Sequence, residues 1–333
     1  MFNHNLLPRI PLLTCALLAT AALPTFAQQP QLETAKIQRV ALEAPTTQAP
    51  DRIDAPFELR NNLIYITAEL NGKQKTFLID SGAPALVLNA DQLDAAQLKD
   101  STVSAAGVGG TVRARSFHVD SFNWKGLQWT NFDTLAFPSP QRVNKDEASA
   151  GAIGYQLLKD YEITFDYGRK IITLIRINEQ GNPVQKLSPK TDGIKVVPIT
   201  MYRHVPALPM EIGGKTYRMG LDSGAGGNML DKQFAPDLQK YVLLDELKRP
   251  MKAVLGGIGN DVLTSEVAVV DKATVGEAPY SKMAFVFTDG TLAQLNQGRR
   301  VPLDGLIGYE FLKQYVTSLN YKKGTLSIYT KGT

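Results

Sequence analysis

The feature that most constrains this chain is a repetition. Asp-Ser-Gly-Ala occurs at Asp80 and again at Asp222, and the residues flanking the two copies match at fixed intervals. Glu69-Leu70-Asn71-Gly72-Lys73 leads to Asp80 after eleven residues, and Glu211-Ile212-Gly213-Gly214-Lys215 leads to Asp222 after the same eleven. Each stretch reads as a strand, a Gly-containing hairpin turn and a second strand. Farther on, Ile153-Gly154-Tyr155 is matched by Ile307-Gly308-Tyr309, and twelve residues beyond each Gly stand Asp166-Tyr167 and Asn320-Tyr321. The interval from Asp to the later Gly differs, 74 residues against 86, as drifting loop lengths would give. The chain is a tandem duplication.

The remaining segments fall around the two halves. Ile10 to Leu23 is almost wholly apolar behind Arg9, and Thr25 and Ala27 are small residues at the −3 and −1 positions of a cleavage site. That layout makes residues 1–27 a signal peptide, and its apolar run is shorter than the roughly twenty residues a span needs. An uncleaved anchor, or lipidation at Cys15, are the other readings of the same segment. Residues 28–55 are rich in Gln, Pro, Ala and Thr and read as a flexible linker. The expected lobes are 56–177 and 195–333, joined by a polar connector at 178–194. Short β-branched and aromatic runs such as Leu63 to Leu70, Lys75 to Ile79, Glu162 to Asp166 and Ile171 to Ile175 make the class mainly β. Helical periodicity is confined to pieces such as Asp91 to Leu98 and Tyr155 to Tyr161.

Composition removes several classes of function. Cys15 is the single cysteine, so a chain cut after Ala27 has no disulfide and no thiol nucleophile. His4, His118 and His204 are scattered, which leaves no His/Cys cluster for zinc and no recognisable serine triad. His118 and His204 read as ordinary surface or packed histidines. With 36 basic against 32 acidic residues and no basic cluster, nucleic-acid binding has little support. The glycine patches Gly107-Val108-Gly109-Gly110 and Gly256-Gly257-Ile258-Gly259 are not nucleotide fingerprints, because Val112 and Val262 stand where the last Gly belongs. No metal and no cofactor are expected.

A single Asp-Ser-Gly after an apolar strand is ordinarily a strand-to-turn transition whose side chains satisfy local backbone groups. Two copies in equivalent halves imply more. Duplicated halves pack about a pseudo-two-fold axis as a dimer would, and equivalents near that axis meet. Asp80 and Asp222 are then paired carboxylates, which retain one proton between them and so hold a general base and a general acid in one site.

These residues resemble the retropepsin- and pepsin-type aspartic peptidases. They are similar in particular to bacterial exported retropepsin-like proteins, whose folded part often opens as here with Pro56-Phe57-Glu58-Leu59 and Leu63-Ile64-Tyr65. The resemblance spans roughly residues 56 to 330. It implies two retropepsin-like β-barrel lobes of the acid-protease fold, with Asp80 and Asp222 as the catalytic dyad. It further implies that Ser81 and Ser223 brace the dyad across the lobe interface, and that Gly82 and Gly224 let backbone approach the carboxylates. Ile153-Gly154 and Ile307-Gly308 match the segments that cross behind each active-site loop. The glycine patches, with Gly107, Gly109, Gly110, Gly256, Gly257 and Gly259, sit where flap hairpins cover a substrate, which suggests two flaps. Ser stands where Thr is commoner in both motifs, and no flap tyrosine of the pepsin kind is evident.

The expected activity is endopeptidase cleavage of a polypeptide substrate by a monomer, exported to the periplasm or secreted. A binding or assembly module on the same fold, a paired-carboxylate glycosidase and an active unit pairing lobes between chains are the alternatives.

Overall fold

The computed structural model describes residues 49–107, 110–138, 148–185, 193–256 and 263–330, together with two dipeptides, Leu13–Thr14 and Thr20–Ala21. The two halves carry one strand order, written twice. In the first half it runs Lys99–Gly107, Gly110–Trp124, Leu127–Phe137, Val87–Asn89, Gly151–Ile153, Lys73–Ile79, Leu63–Leu70, Glu58–Arg60. In the second it runs Lys252–Gly256, Leu263–Val275, Ala278–Thr288, Asn228–Asp231, Gly305–Ile307, Lys215–Leu221, Val205–Ile212, Thr200–Tyr202. Each sheet also curls so that its long hairpin pairs with an early strand, through Leu70↔Phe122 in one half and Ile212↔Ala273 in the other. Each half is therefore a barrel-like lobe.

Local chemistry sets the hairpins that lead to the two aspartates. Leu63–Leu70 alternates between buried and less buried residues, as a sheet with one face on a core requires. Its turn is Asn71-Gly72, at φ 48° and 75°, and the equivalent turn is Gly213-Gly214, at 61° and 83°. Two consecutive residues with positive φ form the tight turn whose twist matches paired strands, which is why Asn and Gly occupy it. The cores are closed by aromatics. Phe77 meets Phe122 edge-on at 5.2 Å, and Tyr280 stacks on Phe311 at 4.6 Å. Burying each such ring contributes about 1.5–3 kcal/mol.

A third, six-stranded sheet joins the halves, in the order Ile194–Pro198, Thr325–Tyr329, Val316–Asn320, Tyr161–Asp166, Ile171–Arg176, Arg52–Pro56. Its central pairing is antiparallel, with Thr164 opposite Ser318. These two residues are equivalents in the duplication, so the pseudo-two-fold axis passes between them, and their hydroxyls hydrogen-bond at 2.9 Å.

Two sequence expectations need correction here. Residues 52–55 do not belong to a flexible linker: Arg52–Pro56 is an edge strand of the six-stranded sheet, paired with Ile171–Ile175. Its alternation buries Ile53 and Ala55, and it is the equivalent of Ile194–Pro198, which begins at the last residue assigned to the connector. The helical piece expected over Asp91 to Leu98 is instead two 3-10 turns, Ala90–Gln92 and Ala95–Gln97. Asn89 and Asp94 each accept a hydrogen bond from the amide two residues on, so a second cap restarts the chain before one helix can propagate.

Candidate active site

Asp80 and Asp222 are delivered by the same construction. Asp80 follows the strand Lys73–Ile79, which runs parallel to Gly151–Ile153, and its amide donates to the Ile153 carbonyl at 3.0 Å. Asp222 follows Lys215–Leu221, parallel to Gly305–Ile307, and its amide donates to the Ile307 carbonyl at 2.9 Å. The loops then turn tightly: Ala83 and Ala225 amides return to the Asp80 and Asp222 carbonyls, both at 3.1 Å. Gly154 and Gly308 press directly on these loops. A Cβ on Gly154 would lie 2.4 Å from the Ala83 carbonyl oxygen, and one on Gly308 would lie 2.1 Å from that of Ala225. Only glycine permits that approach.

The loops meet across the boundary between the halves. The Ser81 amide donates to Ser223 Oγ at 3.0 Å, and the Ser223 amide donates to Ser81 Oγ at 2.9 Å. Each hydroxyl then donates to a carbonyl on the opposite side, Ser81 to Leu221 at 3.1 Å and Ser223 to Ile79 at 3.0 Å. This reciprocal set places the two carboxyls side by side. The Gly82 amide donates to Asp80 Oδ1 at 2.8 Å and the Gly224 amide to Asp222 Oδ1 at 2.9 Å. The remaining oxygen of each carboxyl, Oδ2, has no protein hydrogen-bond partner among the described residues.

Both aspartates are 0% exposed. Burial pushes the Asp80 carboxyl well above the usual carboxylate range, and the charge of Asp222 adds to it. Burial also raises Asp222, to about 6, while its hydrogen bond with Asp80 pulls it back. Both carboxyls are raised and each disfavours ionisation of the other, so the pair holds on to one proton between them.

The described glycines of the two patches stand at the ends of paired strands. Gly107 and Gly110 face each other as the last described pair of Lys99–Gly107 and Gly110–Trp124. Gly256 ends Lys252–Gly256, which pairs with Leu263–Val275 up to Leu255↔Leu263. Gly109, Gly257 and Gly259 lie outside the described residues. The outer edges of both hairpins accept extended chain by main-chain pairing: Thr20–Ala21 runs antiparallel to Ala105 and Ala106, and Leu13–Thr14 runs parallel to Leu255 and Gly256.

Sequence reasoning gave no role at this site to three groups. Asn228, buried at the position where the first half has Leu86, accepts from the Gly308 amide at 3.0 Å. His204 is buried, with Nε2 2.7 Å from the Gly82 carbonyl. Its equivalent Asn62 also crosses between halves, donating to the Gly226 carbonyl at 3.0 Å. The signal was present, because the register that places Asp80 on Asp222 also places Asn62 on His204, two polar residues just ahead of matching strands. Tyrosines behind the loops likewise cross over, Tyr155 against Tyr321 at 5.0 Å and Tyr167 against Tyr309 at 5.5 Å. His118, by contrast, is at the surface, 2.8 Å from Asp133.

Among the described residues no three His, Cys, Asp or Glu converge as a metal site, and no helix is long and apolar enough to cross a membrane. Compared with models of protein families, the chain matches the one described as "Aspartyl protease", over residues 66–157 and 208–311, one segment in each half and together more than half of the chain. A comparison with curated proteins gave no match.

Proposed function

This chain belongs to the aspartyl protease family, as two fused retropepsin-like lobes, and on that premise we propose that it is an aspartic endopeptidase whose reacting groups are Asp80 and Asp222. The observation that carries the reading is the pair of fully buried carboxyls, each on a matching loop and cross-braced by Ser81 and Ser223, with burial raising both. An ionised Asp222 takes a proton from a water held between the carboxyls as that water's oxygen attacks the peptide carbonyl carbon. Protonated Asp80 gives its proton to the carbonyl oxygen. The resulting diol collapses with return of the Asp222 proton to the amide nitrogen, the C–N bond breaks, and the diol's proton restores Asp80. Fixed positions for water and carbonyl, and donors at the developing charge, supply the rate advantage. The reaction so written needs no cofactor.

An extended polypeptide is the substrate that fits. The hairpins ending at Gly107–Gly110 and Gly256 have edges that take a strand by main-chain pairing, the mode in which backbone provides affinity and side-chain pockets provide selection. Because both carboxyls come from one chain, the active unit is a monomer. Residues 1–27 act as an export signal, which places the mature enzyme in the periplasm or outside the cell.

The decisive experiment incubates the mature protein, Asp80→Asn and Asp222→Asn with a diverse peptide library from acid to neutral pH. Cleavage by wild type and its loss in both variants is the expected outcome. Equal cleavage by all three would remove the dyad, and a wild type that binds but never cuts would leave a peptide-binding module. Sedimentation tests the monomer, and N-terminal sequencing of protein from the periplasmic fraction is expected to begin at Gln28.

A further inference from the structure

Gly82 is the point at which the two halves come closest to both aspartates. Its amide donates to Asp80 Oδ1 at 2.8 Å. Its Cα lies so near Asp222 that a Cβ there would fall 2.6 Å from the carboxyl carbon. Its carbonyl is taken by His204, which reaches over from the second lobe. The second lobe therefore holds Gly82 on two sides, with the Asp222 carboxyl and with His204. The first lobe does not reciprocate in kind: Asn62, the equivalent of His204, bonds to Gly226 and not to Gly224.

We propose that His204 is a positioning residue for the Asp80–Asp222 pair, holding the Gly82 carbonyl so that the Gly82 amide is presented to Asp80 Oδ1, beside the Asp222 carboxyl, at a fixed distance. This rests on the peptidase reading only for its kinetic consequence. A carbonyl can only accept, so Nε2 of His204 carries the proton and donates. Burial pushes the imidazole pKa down to about 4, and the charge of Arg203 on the same turn acts in the same direction, so His204 stays a neutral donor above that pH. The loop that packs against it from the first lobe contributes the Gly82 carbonyl and carries Asp80, while Asp222 lies on the far side of Gly82. The effect on the carboxyls is transmitted by position, since an amide held at hydrogen-bond distance favours the ionised form and one allowed to drift does not.

The test compares wild type with His204→Leu, His204→Asn and, as a control at the equivalent position, Asn62→Leu. Two readouts are followed from pH 3 to 8: kcat and KM on a cleaved peptide, and the titration of Asp80 and Asp222 through their side-chain carboxyl 13C resonances. In His204→Leu, kcat is expected to fall about tenfold with KM within about twofold. The carboxyl titration should move up by roughly half a pH unit. His204→Asn, which restores a donor, should recover most of both, and Asn62→Leu should leave the titration in place. The proposal is overturned if His204→Leu leaves the titration unmoved, if Asn62→Leu moves it equally, or if the Asn variant gives no recovery. Should wild type cleave no peptide, the peptidase reading fails while the titration still decides the role of His204. Should His204→Leu not fold, the Asn variant decides: a carboxyl titration more than half a unit from wild type would overturn the proposal.

Discussion

Ser81 and Ser223 exchange hydrogen bonds across the lobe boundary, each accepting from the other's amide, at 2.9 and 3.0 Å, and each donating to the carbonyl just ahead of the other's aspartate. Both residues are 0% exposed. The arrangement is closed: every donor and acceptor in it is satisfied by the opposite lobe, so the spacing of the carboxyls is fixed by two buried hydroxyls anchored to main chain.

Removing either hydroxyl opens that ring at two points. Ser81→Ala leaves the Ser223 amide and the Leu221 carbonyl buried and unpaired, which is expected to cost about 2–4 kcal/mol. Ser223→Ala should cost a similar amount through the Ser81 amide and the Ile79 carbonyl. Because the two share one network, the double variant should lose less than the sum, by about 0.5–3 kcal/mol. Urea denaturation of the four proteins measures this, and strict additivity would show that the two bridges act independently.

The carboxyl pair and His204 push stability in opposite directions with pH. A carboxyl with a folded pKa above 3.8 keeps a proton that the unfolded chain has released, so its contribution is present below about pH 4 and is lost as pH rises through about 6. His204 has a folded value of about 4 against 6.5 unfolded, so its contribution is present above 6.5 and is lost as pH falls through about 4. Asp222→Asn removes the Asp222 part of the first effect and leaves the burial of Asp80 and the second effect in place. The variant should therefore exceed wild type in stability by roughly 3 kcal/mol at pH 7. It should lose that advantage near pH 3.5, as thermal melts across the range would record.

Most of the architecture was legible because the duplication wrote it twice. A period that aligned hairpin turns, aspartates and Ile-Gly pairs also fixed the equivalence of the lobes, and equivalence is a statement about geometry. What stayed hidden lacked such a pair or lay in short, polar sequence. Arg52–Pro56 is five residues with only Ile53 and Ala55 buried, too short for alternation to stand out from a Pro- and Ala-rich leader. Apart from Pro56 and Pro198, its match to Ile194–Pro198 is one of position and not of identical residues. The break in the helical piece after Asp91 turned on one cap, Asp94. His204 and Asn228 differ in type from Asn62 and Leu86, so a search for identical residues passed over them.

Glycines within one half do not carry equal weight. Gly308→Ala would place a methyl 2.1 Å from the Ala225 carbonyl oxygen and 2.8 Å from the Ala225 Cβ. Backbone there cannot yield without moving the Asp222 loop, so a loss of about 3 kcal/mol or more is expected, with activity falling in parallel. Gly256→Ala meets nothing within 4 Å among the described residues and should stay within about 0.5 kcal/mol of wild type. Denaturation midpoints separate the two cases.

The crossed tyrosines offer a test of how the lobes are held behind the dyad. Tyr155 and Tyr321 meet edge to face at an interplanar angle of 84°, and Tyr167 and Tyr309 at 66°. The Tyr167 and Tyr321 hydroxyls are buried and have no protein partner among the described residues, so the rings and not the hydroxyls carry the contact. Tyr321→Phe should accordingly change stability by no more than about 1 kcal/mol, whereas Tyr321→Ala should cost about 3–5 kcal/mol. A cycle with Tyr155→Leu and Tyr321→Leu should show a coupling of about 0.5–1.5 kcal/mol, the value of an edge-to-face pair beyond its buried area. A large loss in Tyr321→Phe would transfer the role to the hydroxyl, and a coupling of zero would mean that the six-stranded sheet and the serine bridges hold the lobes without the rings.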